Sequence, residues 1–414
     1  MKNLSINSDR LWGSLMEMAM IGATKKGGNC RLALSDSDKD ARDLFVSWCK
    51  KAGCLISVDA IGNIFARRPG KNASLSAIMA GSHLDTQPTG GRFDGVLGVL
   101  SALEVVQTLN DQNISTDVPI DIVCWTNEEG SRFAPSMMGS GVHAGVFNLE
   151  SIKGTTDAHG ILLGTELERI GYAGSDVPGS RKTSAYFELH IEQGPILEKE
   201  KKTIGIVTGA QGQKWLEVKI TGIESHAGPT PMDQRCDALV GASKVILEVN
   251  KIGNHFSPDA CTTVGLISAY PNSRNVIPGY VFLTVDLRHP RDKTLCKMDM
   301  MLKDFCSSLA IKDNLQIEVN DLVHFPSVSF DTSCIAAIRD GAKAHNFSHR
   351  DIVSGAGHDA VYMAKITQTG MIFIPCKDGI SHNEIESATY EDCAAGCNVL
   401  FHAVLQHAKF SNTK

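Results

Sequence analysis

The stretch SLSAIMAGSHLDT, residues 74–86, reads as a buried apolar strand that runs into a polar tip carrying His83 and Asp85. The same form recurs in PIDIVCWTNEE (119–129) and SAYFELHIEQG (184–194), which also end in charged or imidazole side chains. Helical patterns separate these strands. SDSDKDARDLFVSWCKKAG (35–53) opens on cap-type Ser and Asp and stops at Gly53, whereas DGVLGVLSALEVVQTLN (94–110) is apolar on most faces. Apolar strands alternating with such helices predict an α/β fold with a mainly parallel, mixed sheet.

At 414 residues the chain exceeds what one core usually fills, so two domains are expected. From Gln211 the pattern changes. KWLEVKITG alternates like a half-exposed strand, followed by the helix CDALVGASKVILEVNKIG, strands CTTVGLISAY and YVFLTVDLRHP, another helix and the strand LQIEVNDLV. The order βαββαβ is that of a ferredoxin-like α+β sandwich. The first pattern resumes after Pro326, with helices around 331–345 and 386–409 and the strand MIFIPC. The expected division is therefore an α/β/α catalytic domain, residues 1–210 and 328–414, interrupted by an inserted domain at 211–327.

Hydrophobic content of 43%, charged content of 21% and a net charge of −6 suit an ordinary globular enzyme and disfavour nucleic-acid or anionic-membrane partners. MKNLSINSDRL has no apolar signal core and no run of eighteen apolar residues occurs, so a cytoplasmic protein without membrane partners is expected. The twelve cysteines then read as reduced thiols. Cys393 and Cys397, one helical turn apart, suit packing on a helix face.

Active sites of α/β folds gather at the carboxyl ends of the parallel strands. The polar residues expected at those ends are His83, Asp85, Asp94, Glu128, Glu129, His190, Glu192 and His382. Imidazole with carboxylate and no thiolate is the donor set of a zinc-type site. The adjacent glutamates Glu128 and Glu129 raise each other's pKa unless a cation sits beside them, so they mark either a solvated turn or a metal site. The sequence lacks a P-loop, a G-x-G-x-x-G, a G-x-S-x-G elbow and an H-E-x-x-H.

The motifs GSHLDT, GGRFDGVLGV, NEEGSRF, HIEQGPILE, HAGPTPM, DLRHP, SGAGHDA and GISHNE, in this order from about residue 80 to 385, resemble the amidase, hydantoinase and carbamoylase branch of the M20-type peptidase family. The resemblance extends over nearly the whole chain. It implies two divalent ions per subunit about 3.5 Å apart, zinc first and Mn²⁺, Co²⁺ or Ni²⁺ as alternatives. His83 and His190 would hold one ion, Glu129 and His382 the other, and Asp94 would bridge them. Asp85 resembles the carboxylate that fixes the tautomer of His83, although a turn residue would also read this way. Only one of two neighbouring glutamates on an extended segment need face the ions. Glu128 then resembles the general base.

By the same resemblance, Gln193, Asn275, Arg288 and Gly357 bind substrate, and His226 polarises the scissile carbonyl from a partner subunit. Residue types alone would make Arg288 a salt-bridge residue and His226 a turn residue. An arginine fork does suit a substrate carboxylate. Arg92, Arg132, Arg235, His358 and Asp359 belong to the motifs without an assigned role. The implied activity is hydrolysis of the carbamoyl C–N bond of N-carbamoyl-L-amino acids, with allantoate or N-carbamoyl-β-alanine as alternative substrates. The inserted domain would serve as a lid and dimerise the protein. A non-catalytic metal-binding dimer is the rival of another class, and the intact Glu128 speaks against it.

Overall fold

The computed structural model describes residues 4–412. Two compact units are formed, one by Met1–Gly209 with Ser329–Lys414, the other by Ala210–Val328.

The first unit is built on a nine-stranded mixed sheet. Its centre is parallel: Ile120–Trp125, Ala77–His83, Thr183–Ile191 and Gln368–Ile374 lie side by side in that order. Ile120–Trp125 and Ala77–His83 are buried along their whole length, as parallel strands covered on both faces must be. Antiparallel strands flank this centre, with Ile64–Arg68 and Leu55–Val58 on one side and Ile204–Ala210 on the other. Helix Asp36–Lys51 begins where Ser35 accepts the amide of Asp38, at the cap read from the sequence. Helix Val96–Asp111 is buried on nearly every side. Neighbouring residues of Thr183–Ile191 show that both faces are covered. Leu189 packs against Gly396 of helix Tyr390–Ala408, whereas the Glu188 carboxylate accepts the amide of Ala360, in the short helix Asp359–Met363. The carboxyl ends of the four central strands therefore open at one edge of a three-layer unit.

In the second unit the strands Cys261–Tyr270, Tyr280–His289, Gly212–Thr221 and Gln316–Phe325 form an antiparallel sheet in that order. Counted along the chain this is 2-3-1-4, the order of a ferredoxin-like sandwich. Burial alternates residue by residue along Tyr280–His289, because helices Ala238–His255 and Asp292–Asp313 cover only one face. Trp215, Leu266, Leu322 and Phe325 remain exposed within this unit.

Candidate metal centre and active site

His83 is the last residue of its strand and His190 the penultimate residue of the next one. Asp94 comes from the loop that precedes helix Val96–Asp111. Its Oδ1 lies 3.0 Å from His190 Nε2 and 3.9 Å from His83 Nε2, and its Oδ2 lies 3.3 Å from His382 Nε2. His382 Nε2 is also 3.3 Å from Glu129 Oε2. Two donor sets result, His83–Asp94–His190 and Asp94–Glu129–His382, each with its ligand atoms within 4.8 Å of one another. Asp94 belongs to both, one oxygen toward each.

Local backbone explains these positions. Gly95 has φ +68°, and a Cβ there would stand 2.4 Å from the His83 ring, so the helix can start beside the imidazole only with glycine. The Glu386 carboxylate accepts the amides of Phe93 and Asp94, both at 3.1 Å, and the Ser381 hydroxyl at 2.7 Å. Gln87 holds Glu129 with its backbone amide (3.1 Å) and its side chain (2.7 Å). Gln87, Ser381 and Glu386 were not singled out in the sequence. Their only signal is that they lie within four residues of Asp85 or His382.

Glu128 and Glu129 do part company, but not by strand alternation. The strand ends at Trp125, and Asn127 turns the chain with φ +54°. The turn is held by Asp85, whose two carboxylate oxygens accept the Glu128 and Glu129 amides, each at 3.2 Å. This corrects the expected contact of Asp85. The ring Nδ1 of His83 meets the Asp85 backbone carbonyl at 2.9 Å, and the Asp85 carboxylate is 3.9 Å away. A carbonyl fixes a tautomer as well as a carboxylate does, which leaves the carboxylate for the turn. Glu128 Oε2 ends 3.4 Å from His83 Nε2. Glu192, another strand-tip carboxylate, faces away and caps the amides of Ile196 and Leu197.

The electrostatics of the bare chain fit a cation. Burial, then the charges of Asp359 and Glu129, push the Glu128 carboxyl well above its usual range. Burial, then Asp94 and Asp85, do the same to Glu129. Burial opposes charge on His190, but its hydrogen bond to Asp94 and the charge of Asp94 outweigh that and raise it to about 9. The hydrogen bond to Asp94 likewise raises His382. A proton on His190 thus balances the charge of Asp94, the part a divalent ion would take over. His83, pushed down to about 4 by burial, is neutral and ready to ligate.

Gln193, in a left-handed conformation (φ +55°), donates from Nε2 to Asp94 Oδ2 at 3.0 Å and so stands at the ligands. Gly357 is exposed beside His358, whose ring lies 4.5 Å from that of His190. The remaining substrate candidates belong to the second unit. There His226 pairs with Val276 on a two-stranded ribbon, and just beyond it the Ala227 amide donates to the Asn275 carbonyl at 2.9 Å. Arg288 lies at the end of Tyr280–His289 with its guanidinium on Asp286, Nη2 to Oδ2 at 2.9 Å.

Two overlapping His/carboxylate sets at the strand ends of a mixed α/β sheet, with a further buried carboxylate beside them, define a metal-binding α/β hydrolase. The chain belongs to the peptidase family M20/M25/M40, whose sequence model matches residues 79–406. It is 48% identical over 408 residues to the N-carbamoyl-L-amino-acid amidohydrolase of Rhizobium meliloti, covering 99% of this chain and 98% of that one. To the allantoate amidohydrolase of Bacillus subtilis it is 31% identical, covering 92% and 93%. A solved amidase of the hydantoinase/carbamoylase family from Burkholderia multivorans superposes with a TM-score of 0.95 at 56% identity, over 98% of each chain.

Proposed function

We propose that the protein hydrolyses N-carbamoyl-L-amino acids to the free amino acid, ammonia and carbon dioxide. The observation that carries this reading is Glu128: a buried carboxylate beside the ligand sets, belonging to neither, in a chain similar over its full length to an N-carbamoyl-L-amino-acid amidohydrolase. Such a carboxylate is a base in position.

His83, His190 and Asp94 would hold one divalent ion, and Asp94, Glu129 and His382 the second, zinc being the first choice for this donor set. Ions bound there would acidify water and polarise the carbamoyl carbonyl. Glu128 Oε2 accepts the proton of the attacking water. It returns that proton to the nitrogen that leaves. Gln193 orients the substrate next to Asp94. Arg288, whose Nε and Nη2 rest on Asp286, clamps the substrate carboxylate together with Asn275, and Gly357 offers backbone where a side chain would not fit. His226 donates to the carbonyl oxygen as charge builds on it.

His226 acts on the site of a second copy in this reading, and the protein is a homodimer joined through the inserted unit. The exposed Trp215, Leu266 and Leu322, and the edge strands Cys261–Tyr270 and Gln316–Phe325, support that surface. We place the enzyme in the cytoplasm, in keeping with twelve free cysteines. No helix among the described residues is long and apolar enough to cross a membrane.

The test is ammonia release from N-carbamoyl-L-amino acids, their D-enantiomers, N-carbamoyl-β-alanine and allantoate, with Zn²⁺, Mn²⁺, Co²⁺ and Ni²⁺ each supplied. Highest kcat/KM on the L-α series is expected. A higher value on allantoate or N-carbamoyl-β-alanine would overturn the substrate assignment and leave the metal chemistry standing.

A further inference from the structure

A short hairpin near the amino terminus, with the residue that follows it, touches two loops that carry candidate metal ligands, the one between His83 and Val96 and the one after Ile374. It runs from Gly22 to Cys30, closed by the Cys30 amide on the Gly22 carbonyl at 2.8 Å and by an antiparallel bridge between Ala23 and Asn29. It precedes residue 79, where the family match begins.

Each contact falls a few residues from a ligand. Asn29 and Gly90 exchange both backbone hydrogen bonds, at 2.8 and 2.9 Å, four residues before Asp94. Arg31 follows the hairpin. Its amide donates to Thr86 Oγ1 at 2.8 Å, its carbonyl accepts the Thr86 amide at 2.9 Å, and its Nε donates to the Leu84 carbonyl at 3.1 Å. Leu84 follows His83, and Thr86 precedes Gln87, the residue that holds Glu129. Gly28 lies so close to the loop after His382 that a Cβ would stand 2.4 Å from Glu384 Cα and 2.5 Å from the Gly90 carbonyl oxygen. Lys26 Nζ reaches Glu384 Oε2 at 3.4 Å.

The polar groups of this segment are buried at a cost. Asn29 and Arg31 are both 0% exposed. The guanidinium of Arg31 bonds to the carbonyls of Leu84, Ile21 and Met18 and to Asn29 Oδ1, with no hydrogen bond to a carboxylate among the described residues. An aliphatic side chain would fill the space without the desolvation penalty of a charge. What the guanidinium provides instead is geometry: it ties the end of helix Ser8–Met18 to the residue after His83.

We propose that residues 22–31 form a clasp that sets the spacing of the ligand loops, the second set of Asp94, Glu129 and His382 above all, with Asn29 and Arg31 as positioning residues. The inference rests on the metal reading of the site and adds to it a part outside the matched family region. Gly28→Ala should push the hairpin off Glu384 and Gly90 while removing no hydrogen-bonding group.

The experiment is Mn²⁺ binding to the metal-stripped full chain, by calorimetric titration with chelator competition, for wild type, Gly28→Ala and Gly70→Ala. Gly70→Ala is the matched control: its Cβ would meet the Val118 carbonyl carbon at 2.3 Å, a comparable insult away from the ligand loops. Gly28→Ala should weaken the weaker of two Mn²⁺ sites by about 10-fold or more, in the range caused by losing groups that support metal ligands, and Gly70→Ala should not. Equal binding by wild type and Gly28→Ala, or equal weakening by both variants, would overturn the clasp. Wild type that binds no metal would instead overturn the reading on which it rests. Should Gly28→Ala not fold, amide exchange of wild type decides: Mn²⁺ should slow exchange at Asn29 and Cys30, and unchanged rates there refute the proposal.

Discussion

Glu128 and Glu129 share a peptide bond yet answer to different partners, one to His83, the other to His382 and Gln87. Their substitutions should therefore separate. Glu128→Gln is expected to keep its metal while turnover falls at least about 10²–10⁴-fold, the contribution of a positioned base. Glu129→Gln should lose the second ion, read by metal analysis after dialysis. The reverse pattern would exchange the two roles. A second histidine behaves differently because no ligand set includes it. His143 is buried between the rings of Phe65 and Trp125, accepts the Gly179 amide at Nδ1, and is pushed down to about 4 by burial and then Arg181. The unfolded chain binds that proton near 6.5, so between the two values unfolding takes up a proton. Stability from this group is full above pH 6.5 and lost as pH falls toward 4, about 2 kcal/mol between pH 7 and 5. His143→Asn should be less stable at pH 7 but show a shallower loss to pH 5 in urea unfolding of the metal-stripped protein. An unchanged slope would show that His143 does not carry it.

At the scale of elements, helix Val96–Asp111 shows how tightly secondary structure and ligand placement are joined. It begins at Gly95, with no side-chain cap, directly against the His83 ring. Gly95→Ala introduces both a strained φ and a steric overlap with His83. Metal analysis should find the His83–Asp94–His190 position emptied, whereas a helix-interior change such as Leu103→Ala should cost about 2–5 kcal/mol of stability and keep both ions. Which elements could be read from sequence follows the same physics. Helix Asp36–Lys51 announced itself through the cap at Ser35 and the stop at Gly53, and the central strands through unbroken apolar runs. Strand Ile64–Arg68 did not. It ends in two arginines, whose guanidiniums bond to Asp121, Asn110 and the Ile114 carbonyl and so sit in a sheet that their charge alone argues against. The short helices Met138–His143, Leu149–Lys153 and Leu163–Arg169 are too brief to show a period.

At the scale of the molecule, the candidate ligands His83 and His190 stand out in the sequence because a polar residue at the end of an apolar run is conspicuous, whereas Asp94 and His382 lie on loops beyond the strands and are assigned through the resemblance of their motifs. Their supports do not stand out. The hairpin before Arg31 pairs through backbone amides and carbonyls, which leave no mark on residue type, and Gln87, Ser381 and Glu386 are ordinary polar residues whose side-chain bonds no local pattern announces. The homodimer proposed from the inserted unit has a sharp test. One chain carries Glu128→Gln, the other His226→Ala. After dissociation and reassociation, activity should rise to about half of wild type per mixed dimer if His226 serves the other chain, because one site then holds both defects and the other neither. Activity that stays at background would place His226 within its own subunit's site, and a monomer by light scattering would remove the dimer altogether.

The chain leaves the first unit after Gly209 and returns at Ser329, and the Phe330 amide donates to the Thr208 carbonyl at 3.0 Å. Departure and return are thus neighbours on one sheet, so the intervening stretch could have been acquired, or shed, in a single genetic event without rethreading its host. A tight turn in place of residues 211–327 would leave His83, Asp94, Glu128, Glu129, His190 and His382 on one continuous scaffold.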